Sequence, residues 1–428
     1  MSYNFIPGIA SQSLGHPSYH PLIPKLEAAS HAGLRSIEIF YEDISNLTTA
    51  TQNDTSLLPP RFTVCKAGTS LTGSTSREET ELACCQYIRQ TCLDLSLQII
   101  CLQPFTHYEG LLDGNERHSR IRKLHYWIKM AQRIGTDLIQ IPSNFLPASQ
   151  CTNVRSEIIN DLQTAADIGA QEHPPIRFAY EALAWGTHVN LWNDAFDIVK
   201  AVNRPNFGTC LDTFNLAGRV YADPTATTGL NENAANDIAA SIHKLRTTLA
   251  DPENLKKVFY VELCDGERLP HPIDEHHEWY DESQPARMTW SRNARLYPFE
   301  TDAAEAAAQN RNVGYLPVTQ ILDTVLDAGY QGYISFEVFN RSLNRSGEHV
   351  VREHAERAKR SWERCQSYID AHLQAQAEVH EHLPHDETLL ADEHDVDNTT
   401  VSLVGQEKQP RPGLESSTSD YAGISSRL

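Results

Sequence analysis

YVELCDGERL (Tyr260–Leu269) begins as a strand and ends in a group of acids. Its first residues, with the Val258 and Phe259 that precede them, are apolar and mostly strong β-formers, which predicts a strand buried on both faces. Glu262 lies near the end of this strand, and a carboxylate in such a place needs a cation, a hydrogen-bond donor or a functional reason. The rest of the chain shows whether other strands end in the same way.

Apolar runs typical of strands alternate with longer amphipathic runs along most of the chain. The eight predicted strands are Phe5–Ala10, Ser36–Tyr41, Leu97–Phe105, Asp137–Pro142, Ile176–Leu183, Phe207–Phe214, Lys257–Cys264 and Gly332–Phe339. The predicted helices are Leu22–Ala32, Arg77–Leu95, Glu116–Ile134, Val154–Gly169, Asn190–Val202, Ala234–Leu249, Val318–Ala328 and His349–Tyr368. A polar loop is predicted directly after the second strand. Repeated strand–helix units imply parallel strands, and eight of them predict an α/β fold, a closed (β/α)8 TIM barrel.

A doubly wound open sheet is the alternative arrangement of repeated strand–helix units. A chain with that fold that bound a dinucleotide would carry a Gly-rich turn after its first strand. No such turn follows Phe5–Ala10, so the closed barrel is the preferred prediction.

Two segments fall outside the strand–helix repeat. Residues 270–297 form a predicted loop insertion after the seventh strand, rich in His, Asp, Glu and Arg, where barrel enzymes place substrate-binding loops. From residue 371 to the end the apolar content falls, and the segment holds 11 acidic and 3 basic residues. We therefore predict a barrel domain over residues 1–370 and a disordered acidic tail over residues 371–428.

The charge and composition of the 428-residue chain exclude several classes of protein. Its 56 acidic and 36 basic residues give a net charge of −20, which argues against nucleic-acid binding because phosphate contacts need a basic surface. No apolar stretch approaches the roughly 18 residues of a membrane span. The nine cysteines include no CxxC pair, which is typical of reduced, buried thiols in an intracellular protein.

The two ends of the chain bear on where the protein is found. The N-terminus lacks the basic start and apolar run of a signal peptide, so we expect a cytoplasmic protein. The terminal Ser426-Arg427-Leu428 is a variant of the S-K-L peroxisomal address, which makes the peroxisome the alternative location.

Each of the last four predicted strands carries an acid near its end. These acids are Glu181 in FAYEAL, Asp212 in TCLDTF, Glu262 in YVELCD and Glu337 in SFEVFN. Barrel enzymes take their catalytic groups from the C-terminal ends of different strands, and like charges that meet there repel one another. A divalent metal would remove the repulsion, and oxygen ligands suit Mg²⁺ or Mn²⁺ better than Co²⁺ or Zn²⁺. The alternative is that one or two of these acids pair with Arg or Lys inside the barrel.

Nine stretches of the chain resemble a known enzyme family in order along residues 1–370. They are ASQSLG (Ala10–Gly15), SIEIFYED (Ser36–Asp43), ICLQPFTHYEG (Ile100–Gly110), PSNFLP (Pro142–Pro147), YEALAWGTHVN (Tyr180–Asn190), CLDTFN (Cys210–Asn215), YVELCDGERL (Tyr260–Leu269), WSRNARLYP (Trp290–Pro298) and ISFEVFNRS (Ile334–Ser342). The chain is similar to the metal-dependent 3-dehydroshikimate dehydratases of quinate and shikimate catabolism, within the xylose-isomerase-like barrels. The resemblance says nothing about the tail.

The resemblance implies a metal held by Glu181, Asp212, Glu262 and Glu337, and loss of water from 3-dehydroshikimate to give protocatechuate. An anionic substrate needs a cationic clamp, and Arg292 and Arg295 are candidates because Arg can bind a carboxylate bidentately. The alternative for both is a solvated position in a loop. Further substrate-binding candidates in the matching stretches are Gln103, Phe105, Ser143 and Asn144. The catalytic candidates are His107, Tyr108, Asn215 and Lys66, for which a surface lysine is the alternative.

The chain departs from the family pattern at three positions. Relatives often carry an arginine where this chain has Thr106, and a histidine where it has Asn215. At the third ligand, relatives often carry Gln or His, and this chain carries Glu262. The first two departures imply weaker substrate clamping and weaker proton transfer, and His107 is the expected substitute for the histidine that Asn215 replaces.

Three functions therefore fit the sequence. The first is a lyase that acts on 3-dehydroshikimate, and the second is a sugar or polyol isomerase or epimerase on the same barrel. The third is a catalytically degenerate barrel that binds a metabolite without turnover, since one fold hosts several functions. The expected partner is a small anionic substrate, with no nucleic acid and no membrane, and a homo-oligomer is left open.

Overall fold

A computed structural model describes residues 4–62, 76–301, 305 and 313–381, with side chains as far as residue 378. Three predictions fall outside these residues: the role of Lys66, the terminal Ser426-Arg427-Leu428 and most of the predicted tail. The structure does not test them. One compact unit spans Met1–Glu378. Within the described residues, no helix combines the length and apolar character that a membrane span requires.

Eight parallel strands close into a barrel, as the alternation of apolar and amphipathic runs predicts. In chain order they are β1 (Phe5–Ala10), β2 (Ser36–Phe40), β3 (Gln98–Gln103), β4 (Leu138–Pro142), β5 (Arg177–Glu181), β6 (Phe207–Asp212), β7 (Val258–Glu262) and β10 (Gly332–Phe336). Two short strands between β7 and β10, β8 (Asp265–Gly266) and β9 (Arg295–Leu296), form a separate pair outside the barrel. Around the barrel each strand pairs with its neighbours in sequence, and β10 pairs with β1 and β7. The predicted (β/α)8 barrel is confirmed.

The described helices surround this barrel. They are α1 (Leu22–His31), α2 (Tyr41–Asn53), α3 (Arg77–Asp94), α4 (Gly114–Ile134), α5 (Arg155–Ala170), α6 (Trp192–Val202), α7 (Thr213–Val220), α8 (Ala234–Leu249), α9 (Pro252–Leu255), α10 (Ala286–Ala294), α11 (Val318–Asp327) and α12 (His349–Glu381). Short 3₁₀ turns occupy Ser11–Leu14, Thr55–Leu57, Pro60–Phe62 and Arg341–Asn344. Each predicted helix overlaps one of these, and α12 continues past residue 370.

The predicted polar loop after the second strand is wrong, because α2 occupies that place. Thr, Ser and Asn are typical of loops, since their side chains compete for backbone hydrogen bonds. In α2 the Thr48 hydroxyl instead donates to the Ile44 carbonyl at 2.8 Å, within the helix. Ile44 and Thr48 are both buried, and Glu42 and Asp43 place negative charge at the helix N-terminus, which stabilises it.

The insertion after β7 is not wholly a loop. It holds α10, and a two-residue antiparallel pair joins β8 (Asp265–Gly266) to β9 (Arg295–Leu296). The backbone N–H of Arg295 also donates to the Phe339 carbonyl at 2.9 Å, beyond the end of β10. The insertion thus folds back on the barrel and brings Arg295 to its C-terminal end.

Packed side chains fill the barrel interior on the N-terminal side of the acids. Tyr260 and Glu262 share one face of β7, since residues two apart in a strand point the same way. Tyr260 belongs to a buried cluster that comprises Ile100, Cys101, Leu138, Ala179, Cys210 and Tyr260. Its hydroxyl donates to Glu262 Oε1 at 3.3 Å. The acids therefore lie above a packed floor, at the end of the barrel where the loops are.

A buried ion pair connects the segments that follow β1 and β2. Lys25 Nζ lies 2.7 Å from Asp43 Oδ1, and both side chains are almost completely inaccessible. The Ser11 hydroxyl donates to Asp43 Oδ2 at 2.7 Å and accepts a hydrogen bond from the Phe40 N–H at 3.0 Å. This network fixes the first turn of α2 relative to the chain after β1.

Replacing Lys25 by Met should lower the free energy of unfolding by about 3–5 kcal/mol, because the Asp43 carboxylate then stays buried without its cation. Urea unfolding of the variant against the original chain measures the loss. The matched control is Lys256→Met, whose pair with Glu253 is largely exposed and should change the free energy by less than about 1 kcal/mol. Equal effects of the two substitutions would contradict a special contribution of the buried pair.

Candidate active site

Four carboxylates from four neighbouring strands meet at the C-terminal end of the barrel. Glu181, Asp212 and Glu262 are the last residues of β5, β6 and β7, and Glu337 directly follows β10. Asp212 pairs with Glu262 in the sheet, and Glu262 pairs with Ser335 of β10, so the strand ends are level. One oxygen of each acid lies within 4.8 Å of the others, and all four residues are buried. The four residues predicted as metal ligands are thus brought together.

Burial and mutual repulsion make these four carboxylates unusual acids. Burial, followed by the charge of Asp212, raises the pKa of Glu181 to about 8. Burial raises the pKa of Glu262 and of Glu337 well above the ordinary value, and for Glu262 the nearby charge of Glu337 adds to the rise. Both effects disfavour the charged form of a carboxyl group. Without positive charge beside them, some of these carboxyl groups would therefore hold a proton.

Arg295 supplies part of that charge. Its Nη1 lies 2.9 Å from Asp212 Oδ2 and 2.9 Å from Glu337 Oε2, and its side chain is 1 % exposed. The guanidinium is held between the rings of Phe214 and Phe339, at 4.4 and 5.0 Å from their centroids. The sequence analysis left open that one or two of the acids pair with an arginine or lysine inside the barrel. Arg295 forms such pairs with Asp212 and Glu337. The predicted role of Arg295 as a substrate clamp needs correction, since this guanidinium is already bound to two acids.

Asn215 orients two members of the cluster. Its Nδ2 donates to Glu181 Oε1 at 2.7 Å and to Asp212 Oδ2 at 2.6 Å, while its Oδ1 accepts from the Ala184 N–H at 3.0 Å. Gln140 Nε2 donates to the other oxygen of Glu181. Asn215 was predicted as a catalytic residue, and its contacts in the structure are those of a positioning residue.

A fifth buried acid, Glu38 of β2, was missed in the sequence. Its carboxyl group contacts that of Glu262 and accepts hydrogen bonds from the Ser335 hydroxyl and from Gln103 Nε2, the latter at 2.7 Å. Glu262 Oε2 is buried and receives no hydrogen bond from a donor among the described residues. The sequence could have revealed it, because Glu38 lies between Ile37 and Ile39 in a predicted strand. The four acids that were predicted as ligands also have apolar neighbours in strands.

A cavity of about 540 Å³ opens beside the acid cluster. Of the predicted site residues, it is lined by Glu181, Glu337, Arg295, Arg292 and Gln103. The structure also places His16, Glu42, Thr106 and Phe145 on its wall, none of which was predicted as a site residue. Thr106 and Phe145 are immediate neighbours of residues that were.

Five other predicted residues lie in the turns after β3 and β4 and are not among the residues that line the cavity. Phe105 contacts the rings of Trp127 and Tyr108, with centroids 5.0 and 5.6 Å apart. His107 Nδ1 lies 3.3 Å from Asn144 Oδ1, and the Ser143 hydroxyl accepts from the Leu183 N–H at 3.0 Å. These contacts stabilise the turns after β3 and β4. Phe105, Tyr108, Ser143 and Asn144 are buried, so the expectation that they line the pocket needs correction. His107 is half-buried, with its ring centroid 4.3 Å from that of Phe145 on the wall, and its role stays a prediction. Neighbouring residues in these segments point to opposite sides, and the sequence does not show which side faces the cavity.

Glu109 connects the turn after β3 to the turn after β4. Its Oε1 accepts hydrogen bonds from the Asn144 N–H at 2.5 Å and from the Tyr180 hydroxyl at 3.0 Å. The residue is buried, and its Oε2 has no hydrogen-bond partner among the described residues. Burial raises the pKa of this carboxyl group to about 7.

The family model described as xylose isomerase-like TIM barrel matches residues 26–361. The chain belongs to this family. It is 42% identical over 356 residues to the curated 3-dehydroshikimate dehydratase of Neurospora crassa, with 83% of this chain and 91% of that protein covered. A 3-dehydroshikimate dehydratase of Pseudomonas aeruginosa is 28% identical over 254 residues, or 59% of this chain. The chain spans only 31% of the length of that relative.

Solved structures share the fold of this family member at low sequence identity. A xylose isomerase-like TIM barrel/4-hydroxyphenylpyruvate dioxygenase fusion protein superposes with a TM-score of 0.58 at 22% identity, covering 91% of this chain and 46% of that one. The IOLI protein, solved with a bound zinc atom, gives a TM-score of 0.55 at 16% identity, covering 83% and 96%. At these identities the comparison concerns the barrel architecture alone.

Replacing Glu109 by Gln should change how stability depends on pH. Since the pKa of Glu109 in the folded chain, about 7, lies above its ordinary value of 4.5, folding is weakened as the pH rises between these values. The loss is at most about 1.4 kcal/mol per pH unit. Gln does not titrate, so the variant should gain stability relative to the original chain from pH 5 to pH 7 and level off above.

Urea unfolding at pH 5, 6, 7 and 8 measures this difference. Glu232→Gln, at an exposed position, is the matched control and should give the same pH dependence as the original chain. A constant difference between Glu109→Gln and the original chain across this range would mean that Glu109 is already ionised at pH 5.

Proposed function

We propose that this chain is a 3-dehydroshikimate dehydratase, a lyase that removes water from 3-dehydroshikimate to form protocatechuate. The observation that carries this function is the 42% identity to the Neurospora crassa enzyme across 91% of that protein's length. The acid cluster and its cavity lie where barrel enzymes carry out their chemistry, at the C-terminal ends of the strands. A volume of about 540 Å³ suits a small substrate. The cytoplasmic location and the oligomeric state stay predictions.

A divalent metal suits the acid cluster, and Glu181, Asp212, Glu262 and Glu337 are the residues that would hold it. Their oxygens lie within 4.8 Å of one another, and Arg295 alone cannot balance four carboxylates. Glu262 Oε2 also has no hydrogen-bond donor among the described residues, which leaves it open to a cation or to a proton shared with Glu38. Oxygen ligands favour Mg²⁺ or Mn²⁺, with Co²⁺ or Zn²⁺ as alternatives. When bound, such an ion polarises a ketone oxygen and stabilises the charge that develops there.

The chain's own residues bind and orient the substrate in this scheme. Arg292, on α10, reaches the cavity and is the candidate for the substrate carboxylate, since Arg295 is bound to Asp212 and Glu337. Gln103 also reaches the cavity, and its Nε2 is held by Glu38. The reaction then needs removal of the proton next to the ketone and departure of the β-hydroxyl as water.

Removing the metal should abolish formation of protocatechuate from 3-dehydroshikimate, and Mg²⁺ or Mn²⁺ should restore it best. The protein is stripped with a chelator, supplied with Mg²⁺, Mn²⁺, Co²⁺ or Zn²⁺ in turn, and followed by the absorbance of the aromatic product. An isomerase would give a non-aromatic isomer, and a degenerate barrel would bind without turnover. No aromatic product with any of the four metals would overturn the proposed function.

Replacing Glu337 by Gln provides the control for the metal site. We expect this variant to lose metal binding in calorimetric titration and turnover together, because one of four ligands becomes neutral. Retained turnover would mean that Glu337 is a structural acid.

Replacing Asn215 by Leu should weaken metal binding by about 10–100-fold, the usual effect of removing a residue that orients metal ligands. The amide then no longer holds Glu181 and Asp212 in place. Calorimetric titration with Mn²⁺ measures the affinity. Asn193→Leu is the matched control, since Asn193 contacts Asp194 outside the cluster and should leave the affinity unchanged. An unchanged affinity in Asn215→Leu would refute the positioning role.

A further inference from the structure

Dehydration needs a side chain that accepts and donates a proton beside the substrate. Of the candidates named from the sequence, Lys66 lies outside the described residues, His107 and Tyr108 are not among the residues that line the cavity, and Asn215 does not titrate. Among the described residues that line the cavity, the side chains that carry charge are His16, Glu42, Glu181, Arg292, Arg295 and Glu337.

Four of these six groups have other roles. Glu181 and Glu337 belong to the acid cluster proposed to hold the metal. Arg295 is bound to acids of that cluster, and a guanidinium such as that of Arg292 does not give up its proton in proteins. His16 and Glu42 remain as groups that can exchange a proton near neutral pH.

Glu42 is the better supported of the two. It lies in the first turn of α2, and the next residue, Asp43, is fixed by the buried Lys25 and Ser11. A reacting group held by a rigid element keeps its geometry better than one in a loop. His16 lies in the turns between the 3₁₀ segment and α1, and its Nδ1 already accepts from the Ser18 N–H at 3.2 Å.

The surroundings of Glu42 leave its carboxylate available. Gln12 Nε2 donates to Oε2 at a long 3.3 Å, the backbone N–H of Glu42 also donates to the carboxylate, and no cation forms an ion pair with Glu42 among the described residues. The residue is exposed at the cavity, and the partial burial of its carboxyl group raises its pKa. The charged groups that face it are Asp43, which raises the pKa further, and Lys123 and Arg292, which lower it. A carboxylate of raised pKa is a stronger base and, once protonated, still a competent acid.

We propose that Glu42 takes the proton from the carbon next to the ketone and returns it to the departing β-hydroxyl. In the first step the C–H bond breaks, its electron pair moves toward the ketone, and Glu42 becomes neutral. In the second step the C–O bond breaks, and the hydroxyl takes the proton from Glu42 and leaves as water. The ring then tautomerises to the aromatic diol with no net change in protons. This inference rests on the proposed function.

The test compares the metal-loaded original chain with Glu42→Gln, Glu42→Asp and His16→Gln in D₂O. Three quantities are measured: protocatechuate formation, exchange of the proton next to the ketone by NMR, and Mn²⁺ affinity. We expect Glu42→Gln to lose about 10²–10⁴-fold in turnover, to lose the exchange as well, and to keep its Mn²⁺ affinity. Glu42→Asp should recover part of both activities, because it restores a carboxylate, and His16→Gln should keep the exchange.

The other outcomes separate this inference from the proposed function. If the original chain forms no protocatechuate, both fall together. If it does, the inference alone is overturned by turnover of Glu42→Gln within tenfold of the original, or by loss of turnover with exchange retained, which would place the base elsewhere. Loss of exchange in His16→Gln but not in Glu42→Gln would assign the base to His16. Weaker Mn²⁺ binding by Glu42→Gln would also overturn it, since Glu42 would then act through the metal site.

Discussion

Arg295 Nη1 lies 2.9 Å from both Asp212 and Glu337, at a barrel mouth that holds five buried carboxyl groups. Isolated charges of one sign are very costly to bury, so such a group of acids persists only with positive charge and hydrogen-bond donors around it. Arg295, Asn215, Gln140 and the other donors described above meet that need in part. A divalent cation held by the cluster would meet the rest, and the same ion would supply the chemistry of the proposed function.

The insertion after β7 has a clear structural role in this light. Two contacts fix Arg295 at the C-terminal end of the barrel. They are the β8–β9 pair and the hydrogen bond from the Arg295 N–H to the Phe339 carbonyl. Asn340 Nδ2 donates to the Arg295 carbonyl at 3.0 Å, which adds a further support beyond β10. α10 presents Arg292 to the cavity one turn before this point. One short segment therefore places Arg295 in the acid cluster and Arg292, the proposed ligand of the substrate carboxylate, at the cavity.

The segments after β1 and β2 form the opposite side of the cavity. The buried pair of Lys25 and Asp43 fixes the start of α2. The position of Glu42, in the same first turn, is fixed with it. Ionisable groups on this side are exposed to the cavity, whereas those of the acid cluster are buried. In the proposed scheme, the acid cluster stabilises charge on one side of the cavity and Glu42 transfers the proton on the other.

Strand periodicity and the position of acids at strand ends were sufficient to predict the barrel and to bring Glu181, Asp212, Glu262 and Glu337 together. This works because parallel strands in a closed barrel end at one level, so similar positions in sequence become neighbours in space. The sequence did not show that Arg295 binds two of these acids, since that contact depends on how the insertion folds back. It also did not show that Thr106 and Phe145, rather than His107 and Asn144, face the cavity. In a turn, a shift of one residue reverses the direction of a side chain, and only packing against Trp127, Glu109 and Leu183 decides it.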